Sequence, residues 1–128
     1  MRSILILTLA LASGSAAFPD EARLSRFYAT TKQNCHDIAC IREEIDRINN
    51  EILILLAERT AYVRRAGDLK ARTTKIADDR QRVADQEKKI TDRSIEVELP
   101  IEISVPVFRA IMETSIRFQQ ECIDHIGG

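Results

Sequence analysis

Arg59 stands where an aliphatic residue belongs. From Ile41 onward, apolar residues recur at Ile45, Ile48, Ile52, Leu55, Tyr62, Ala66 and Leu69, in steps of four, three, four, three, seven, four and three. The step of seven skips one position of a helical seam, and Arg59 fills it. A guanidinium among isoleucines and leucines is unfavourable unless an anion meets it. Taken alone, it reads as a snorkelling side chain or one half of an interhelical ion pair. Lys70 changes that reading. It lies eleven residues further on, and at 100° per residue it returns to within about 20° of the same helical face. Gly67 sits between the two cations. Glycine inside a helix is about 1 kcal/mol less favourable than alanine, which predicts that something approaches the backbone closely there. A second apolar seam, Phe108, Met112, Ser115, Gln119, Cys122 and Ile126, carries a serine and a glutamine four residues apart, one above the other. Their structural alternative is a hydrogen-bonded pair in a bundle core. Together these residues are positive or neutral donors. Such a set binds the carboxylates of a small dicarboxylate and an oxygen that becomes electron-rich. It supplies no nucleophile.

Other polar residues are less telling alone. Asp79 and Arg82, three apart, read as an exposed intrahelical ion pair worth about 0.2–0.5 kcal/mol. Arg42 reads as a solvated residue at a helix start. His36 and His125 fall near helix ends and read as structural or exposed. No metal triad, Ser-His-Asp order, P-loop or dinucleotide fingerprint is present.

The elements that must position these residues are helices. Glu, Lys, Arg, Leu, Ile and Ala dominate, and there are only four Gly and no Trp, a composition that favours helix over a β-sandwich. Asp37 is the expected N-cap of the first helix, which runs to about Arg72, where Thr73-Thr74 weakens it. A helix this long cannot bury its seam inside so short a chain and calls for another long helix beside it. A second helix is expected from about Asp78 to Asp92, thin in apolar content with Val83, Ala84 and Ile90. Ser94 to Ile103 is a connection broken by Pro100, and a third helix starts near Ser104 with Pro106 in its first turn. The fold class is all-α: a three-helix subunit with one very long first helix.

Upstream, Arg2 precedes the apolar run Ile4 to Leu11, and Ser15-Ala16-Ala17 supplies the small residues of a cleavage site. The run is too short to span a bilayer, so residues 1–17 read as a signal peptide, not a membrane anchor, and the mature chain as secreted or periplasmic. Residues 18–36 form a polar N-terminal extension that has room for a short helix around Glu21 to Thr31, and residues 37–128 form the helical domain. Nineteen Lys and Arg against twenty Asp and Glu, mixed along the chain, with 5% aromatics, exclude a nucleic-acid surface. Cys35, Cys40 and Cys122 are an odd number in an exported chain. The options are a local Cys35–Cys40 bridge or an inter-subunit bridge through Cys122, with a zinc site from the three thiols and His125 as the metal alternative.

These residues at these spacings resemble the all-helical (AroQ-type) chorismate mutases. The motif runs Ile41-Arg42-Glu43-Glu44-Ile45-Asp46-Arg47-Ile48, then Leu55-Leu56-Ala57-Glu58-Arg59, then Gly67-Asp68-Leu69-Lys70. Asp79 and Arg82 follow within Asp79-Arg80-Gln81-Arg82, and Phe108 to Ile116 with Gln119 complete it. The likeness spans about residues 38 to 125, and its specific part is the ordered set Arg42, Arg59, Lys70, Arg82, Ser115, Gln119. It implies an intertwined helical homodimer that converts chorismate to prephenate. Arg42 of one subunit and Arg59 of the other would clamp substrate carboxylates. Lys70 and Gln119 would donate to the ether oxygen, Arg82 and Ser115 would assist around the ring-side carboxylate, and Asp79 would lie near the ring hydroxyl. The rearrangement is pericyclic, so it implies no cofactor. Val83 departs from the pattern, since many members place a glutamate there to hold the hydroxyl. Arg82-Val83 and Arg59-Thr60-Ala61-Tyr62-Val63 instead resemble the related isochorismate pyruvate lyases. A catalytically silent secreted helical binding protein is the remaining alternative.

Overall fold

The computed structural model describes residues 25–127, so the signal-peptide segment and the start of the extension lie outside the described residues. Four helices follow one another: α1 (Ser25–Asn34), α2 (Ile38–Lys70), α3 (Arg80–Glu96) and α4 (Ile101–Gly127). The described residues contain no strand.

The long first helix of the expectation is α2, 33 residues from end to end. Asp37 caps it as predicted, its carboxylate accepting from the Cys40 N–H at 2.8 Å. At the other end the Ala71 N–H closes back on the Gly67 carbonyl at 2.8 Å, and the chain turns through Thr73 and Lys75, the latter with φ of 57°.

Three boundaries differ from the sequence expectation, each for a local reason. α1 stands in the extension, where room for a short helix around Glu21 to Thr31 was expected; it ends three residues later than that span and adds a fourth helix to the three of the expected subunit, and the Cys35–Cys40 disulfide fastens it to the first turn of α2. That bridge selects the local option and removes both thiols from any zinc site. α3 continues four residues beyond Asp92 because its polar side chains bond back to their own helix. Thr91 donates to the Glu87 carbonyl, and buried Ser94 places Oγ 2.6 Å from the Ile90 carbonyl and 2.7 Å from Ser104 Oγ. α4 starts directly after Pro100, whose carbonyl accepts from Ile103 and Ser104. Pro106 is therefore its sixth residue rather than a first-turn residue, and the helix forgoes one internal hydrogen bond there.

α4 is the hub. It packs on α2 and on α3, while α2 and α3 do not pack on each other. The small core between them holds Ala71, Ala77 and Ile123, with Ile116 against it. Arg80 reaches across from α3 to Glu113 at 2.7 Å, and Arg109 of α4 pairs with Glu87 of α3. The connection between α2 and α3 is held by Gln120, whose Oε1 accepts the Ala77 N–H at 2.9 Å.

The α2 seam is left uncovered. Ile52, Leu53, Ile54 and Leu55 are 49%, 62%, 68% and 63% exposed. Four consecutive residues point to every side of a helix, so this midsection is apolar all round, and such helices are found buried. None of the four helices is long and apolar enough to cross a membrane.

Candidate active site

The space that α2 and α3 leave above α4 is a cavity of about 420 Å³. Six of the seven residues singled out by sequence line it: Arg59, Lys70, Asp79, Arg82, Ser115 and Gln119. The seventh, Arg42, does not. It is exposed near the opposite end of α2.

Arg59 turns inward. Its Nη1 donates to Ser115 Oγ at 2.6 Å, and that hydroxyl donates to the Ile111 carbonyl at 2.6 Å. The serine thus anchors the guanidinium and is itself anchored one turn back on α4. Burial, and then the like charge of Arg82, hold Arg59 below its usual arginine range. Neither Arg59 nor Arg82 forms an ion pair among the described residues. Two like charges converging on a cavity create a positive field that an anion relieves. Arg80, two residues earlier, is the contrast. Hydrogen bonds from its guanidinium to Glu113 and Asp78 raise it above the ordinary range, and it is not part of the cavity lining. The Arg80–Asp78 and Arg80–Glu113 pairs explain which arginine of Asp79-Arg80-Gln81-Arg82 is structural.

Lys70, the last residue of α2, donates from Nζ to the Ala77 carbonyl at 2.9 Å. An ammonium has three N–H groups, so two remain. Gln119 is buried and donates from Nε2 to the Val63 carbonyl at 2.8 Å. A carbonyl can only accept, which fixes the amide nitrogen toward α2 and leaves its second N–H available. Asp79 is the N-cap of α3 and accepts from the Arg82 backbone N–H at 2.9 Å. Its carboxylate therefore engages the backbone of Arg82, not the guanidinium that the ion-pair reading assumed.

The close approach expected at Gly67 is made by α4 itself. A Cβ at Gly67 would stand 3.4 Å from Gln119 Cγ, 3.5 Å from the Gln119 carbonyl and 3.6 Å from Cys122 Cβ. These are ordinary contacts, so Gly67→Ala should keep stability within about 1 kcal/mol of the parent, its better helix propensity offsetting slight crowding. Gly67→Leu should lose about 1–3 kcal/mol by prising α4 off α2. Urea unfolding of both variants checks this, and a leucine variant as stable as the alanine variant would contradict the close packing.

Sequence reasoning missed part of the wall. Val63, Ala77, Ile116 and Gln86 also line the cavity. Gln86 was discoverable: it lies four residues after Arg82 and seven after Asp79, on one helical face. Ala77 belongs to no periodic run and carried no signal.

The family model described as chorismate mutase type II matches residues 41–120. The chain belongs to the chorismate mutase type II family. Neither the curated proteins nor the solved structures yield a match. The family span contains all seven singled-out residues and begins one residue after Cys40, so α1 and its disulfide lie outside it. Membership supports an isomerase-type enzyme.

Proposed function

We propose that this protein is a secreted chorismate mutase that rearranges chorismate to prephenate as a homodimer. One observation carries the reading: Arg59, Lys70, Arg82, Ser115 and Gln119 converge on a single cavity, and its three cations lack carboxylate partners among the described residues. Chorismate brings two carboxylates and an ether oxygen. Arg59, steadied by Ser115, and Arg82 suit the carboxylates. The free N–H groups of Lys70 and Gln119 suit the ether oxygen.

In the reaction the C–O bond breaks as a C–C bond forms, in one cyclic shift of electrons, so no reagent or covalent intermediate is required. The enzyme's work is to hold the substrate in a compact conformation, which can be worth several kcal/mol, and to stabilise negative charge growing on the ether oxygen. Preorganised donors contribute about 3–4 kcal/mol each to such stabilisation.

The exposed apolar midsection of α2 supports a second copy of the chain as its cover. In that dimer Arg42 of the partner subunit would complete the carboxylate clamp.

Val83 in the cavity wall favours one second reading, an isochorismate pyruvate lyase on the same scaffold. Purified mature protein, offered chorismate and isochorismate and followed by absorbance, separates them. Prephenate from chorismate is expected, unchanged by EDTA. Salicylate from isochorismate without prephenate from chorismate would select the lyase, and inertness toward both would leave a silent binding protein.

A further inference from the structure

We propose that Gln120 is a positioning residue that sets the connection between α2 and α3 so that the Lys70 ammonium stays at the cavity wall; the kinetic part of this inference rests on the chorismate mutase reading above. A lysine side chain is flexible along its four-carbon stem, so its charge goes where a partner holds it. That partner is the Ala77 carbonyl, which accepts from Lys70 Nζ at 2.9 Å. Ala77 is buried and lines the cavity, yet it lies between α2 and α3, outside any helix. Its other backbone group is gripped from α4: the Ala77 N–H donates to Gln120 Oε1 at 2.9 Å. One residue of the connection thus meets Lys70 through its carbonyl and Gln120 through its N–H.

The Gln120 amide is fully engaged, and its orientation is forced. An N–H can only donate and a carbonyl can only accept, so Oε1 faces Ala77 and Nε2 faces the Lys75 carbonyl, at 3.3 Å. Nε2 also donates to Asp124 Oδ1 at 2.8 Å, one turn further along α4, which braces the side chain. Lys75 has φ of 57°, a left-handed conformation that a residue with a Cβ adopts at a cost. Gln120 therefore holds both the strained residue of the connection and the residue that holds the ammonium. Its chain neighbour Gln119 lies about 100° away around α4 and lines the cavity. Consecutive glutamines of one helix would so serve the two donors assigned to the ether oxygen: Gln119 directly, and Lys70 by way of Gln120 and Ala77.

The test is a double-mutant cycle with Gln120→Met, which keeps length and removes the amide, made in the parent and in Lys70→Ala. A loosened donor is felt on charge that develops in the transition state, so Gln120→Met should lower kcat on chorismate about tenfold with KM little changed. In the Lys70→Ala background the same substitution should cost less than about twofold, because the group it positions is gone. Equal fold losses in both backgrounds would show a general structural role and overturn the assignment, as would an unchanged kcat. Hydrogen exchange at the Ala77 amide, measured alongside, should quicken about tenfold in Gln120→Met, and an unchanged rate would also overturn it. Should Gln120→Met not fold, Gln120→Glu, which keeps an acceptor for the Ala77 N–H, carries the same cycle with a smaller loss expected. A parent enzyme inert toward chorismate would refute the mutase reading and the kinetic role with it, while exchange at Ala77 still decides whether Gln120 holds the connection.

Discussion

Replacing Lys70 with alanine is expected to lower kcat/KM on chorismate by about 10²–10³-fold while the helices stay in place, the loss typical of one preorganised donor to a developing oxyanion. Two functions of the side chain have to be separated. Its ammonium donates to the Ala77 carbonyl and so helps hold the connection between α2 and α3. Losing a hydrogen bond from a charged group costs about 1.5–3 kcal/mol of stability, part of which Gln120 offsets, since it grips the same residue through the Ala77 N–H. A stability loss of that size leaves a folded enzyme if the parent is of ordinary stability. Lys70 also lines the cavity and keeps two N–H groups beyond the one given to Ala77, and their removal is what the kinetics would report. Circular dichroism and thermal melting record the first effect, and steady-state rates on chorismate record the second. Arginine at this position should not restore activity, because its planar fork cannot take the place of a compact ammonium at a single oxygen. Less than a tenfold loss in a folded Lys70→Ala protein would show that the ammonium does not act on the reacting oxygen.

How much of this was legible in the sequence depended on periodicity. α2 is long and regular, its cap is an aspartate, and the one polar interruption of its apolar seam is Arg59, so both the helix and a residue that lines the cavity could be read directly. Ser115 and Gln119 emerged in the same way from the apolar seam of α4. Where the signal is not periodic, reading failed or needed the family resemblance. Ser94 was read as the start of the connection, yet its hydroxyl is satisfied on its own helix and on Ser104, and α3 runs on. Asp79 and Arg82 have ion-pair spacing, but the carboxylate caps the backbone instead, a choice set by where α3 begins. Gln86 sits on a helix whose apolar content is too thin to define a face, so its place in the cavity becomes clear only once α4 is packed beneath it. Arg42 is the residue that one chain alone explains least: it was singled out with the others but lines no part of their cavity.

That separation of Arg42 from the cavity leads to the second large expected effect. Arg42 and Arg59 are 17 residues apart on one continuous helix, which is roughly 25 Å along the axis. A substrate about ten ångströms long cannot touch both arginines of one straight helix. Two antiparallel copies of α2 resolve this, since Arg42 of one copy then lies near Arg59 of the other, and the same pairing would cover the bare midsection from Ile52 to Leu55. Two-fold symmetry would then make two identical sites, each borrowing Arg42 from its neighbour. Arg42→Ala and Arg59→Ala homodimers should each be nearly inactive, because every site in either lacks one arm of the clamp. The two proteins are then unfolded together without reductant, which keeps the Cys35–Cys40 bridge closed, and refolded at equal amounts. Random pairing makes half of the dimers mixed. In a mixed dimer one site collects both defects and the other collects neither, so activity should return to roughly a quarter of the parent value. Distinct affinity tags on the two chains measure how many mixed dimers form. If they form in the expected share and the mixture stays as inactive as its parents, both arginines serve the same chain's site, and the shared arrangement is wrong.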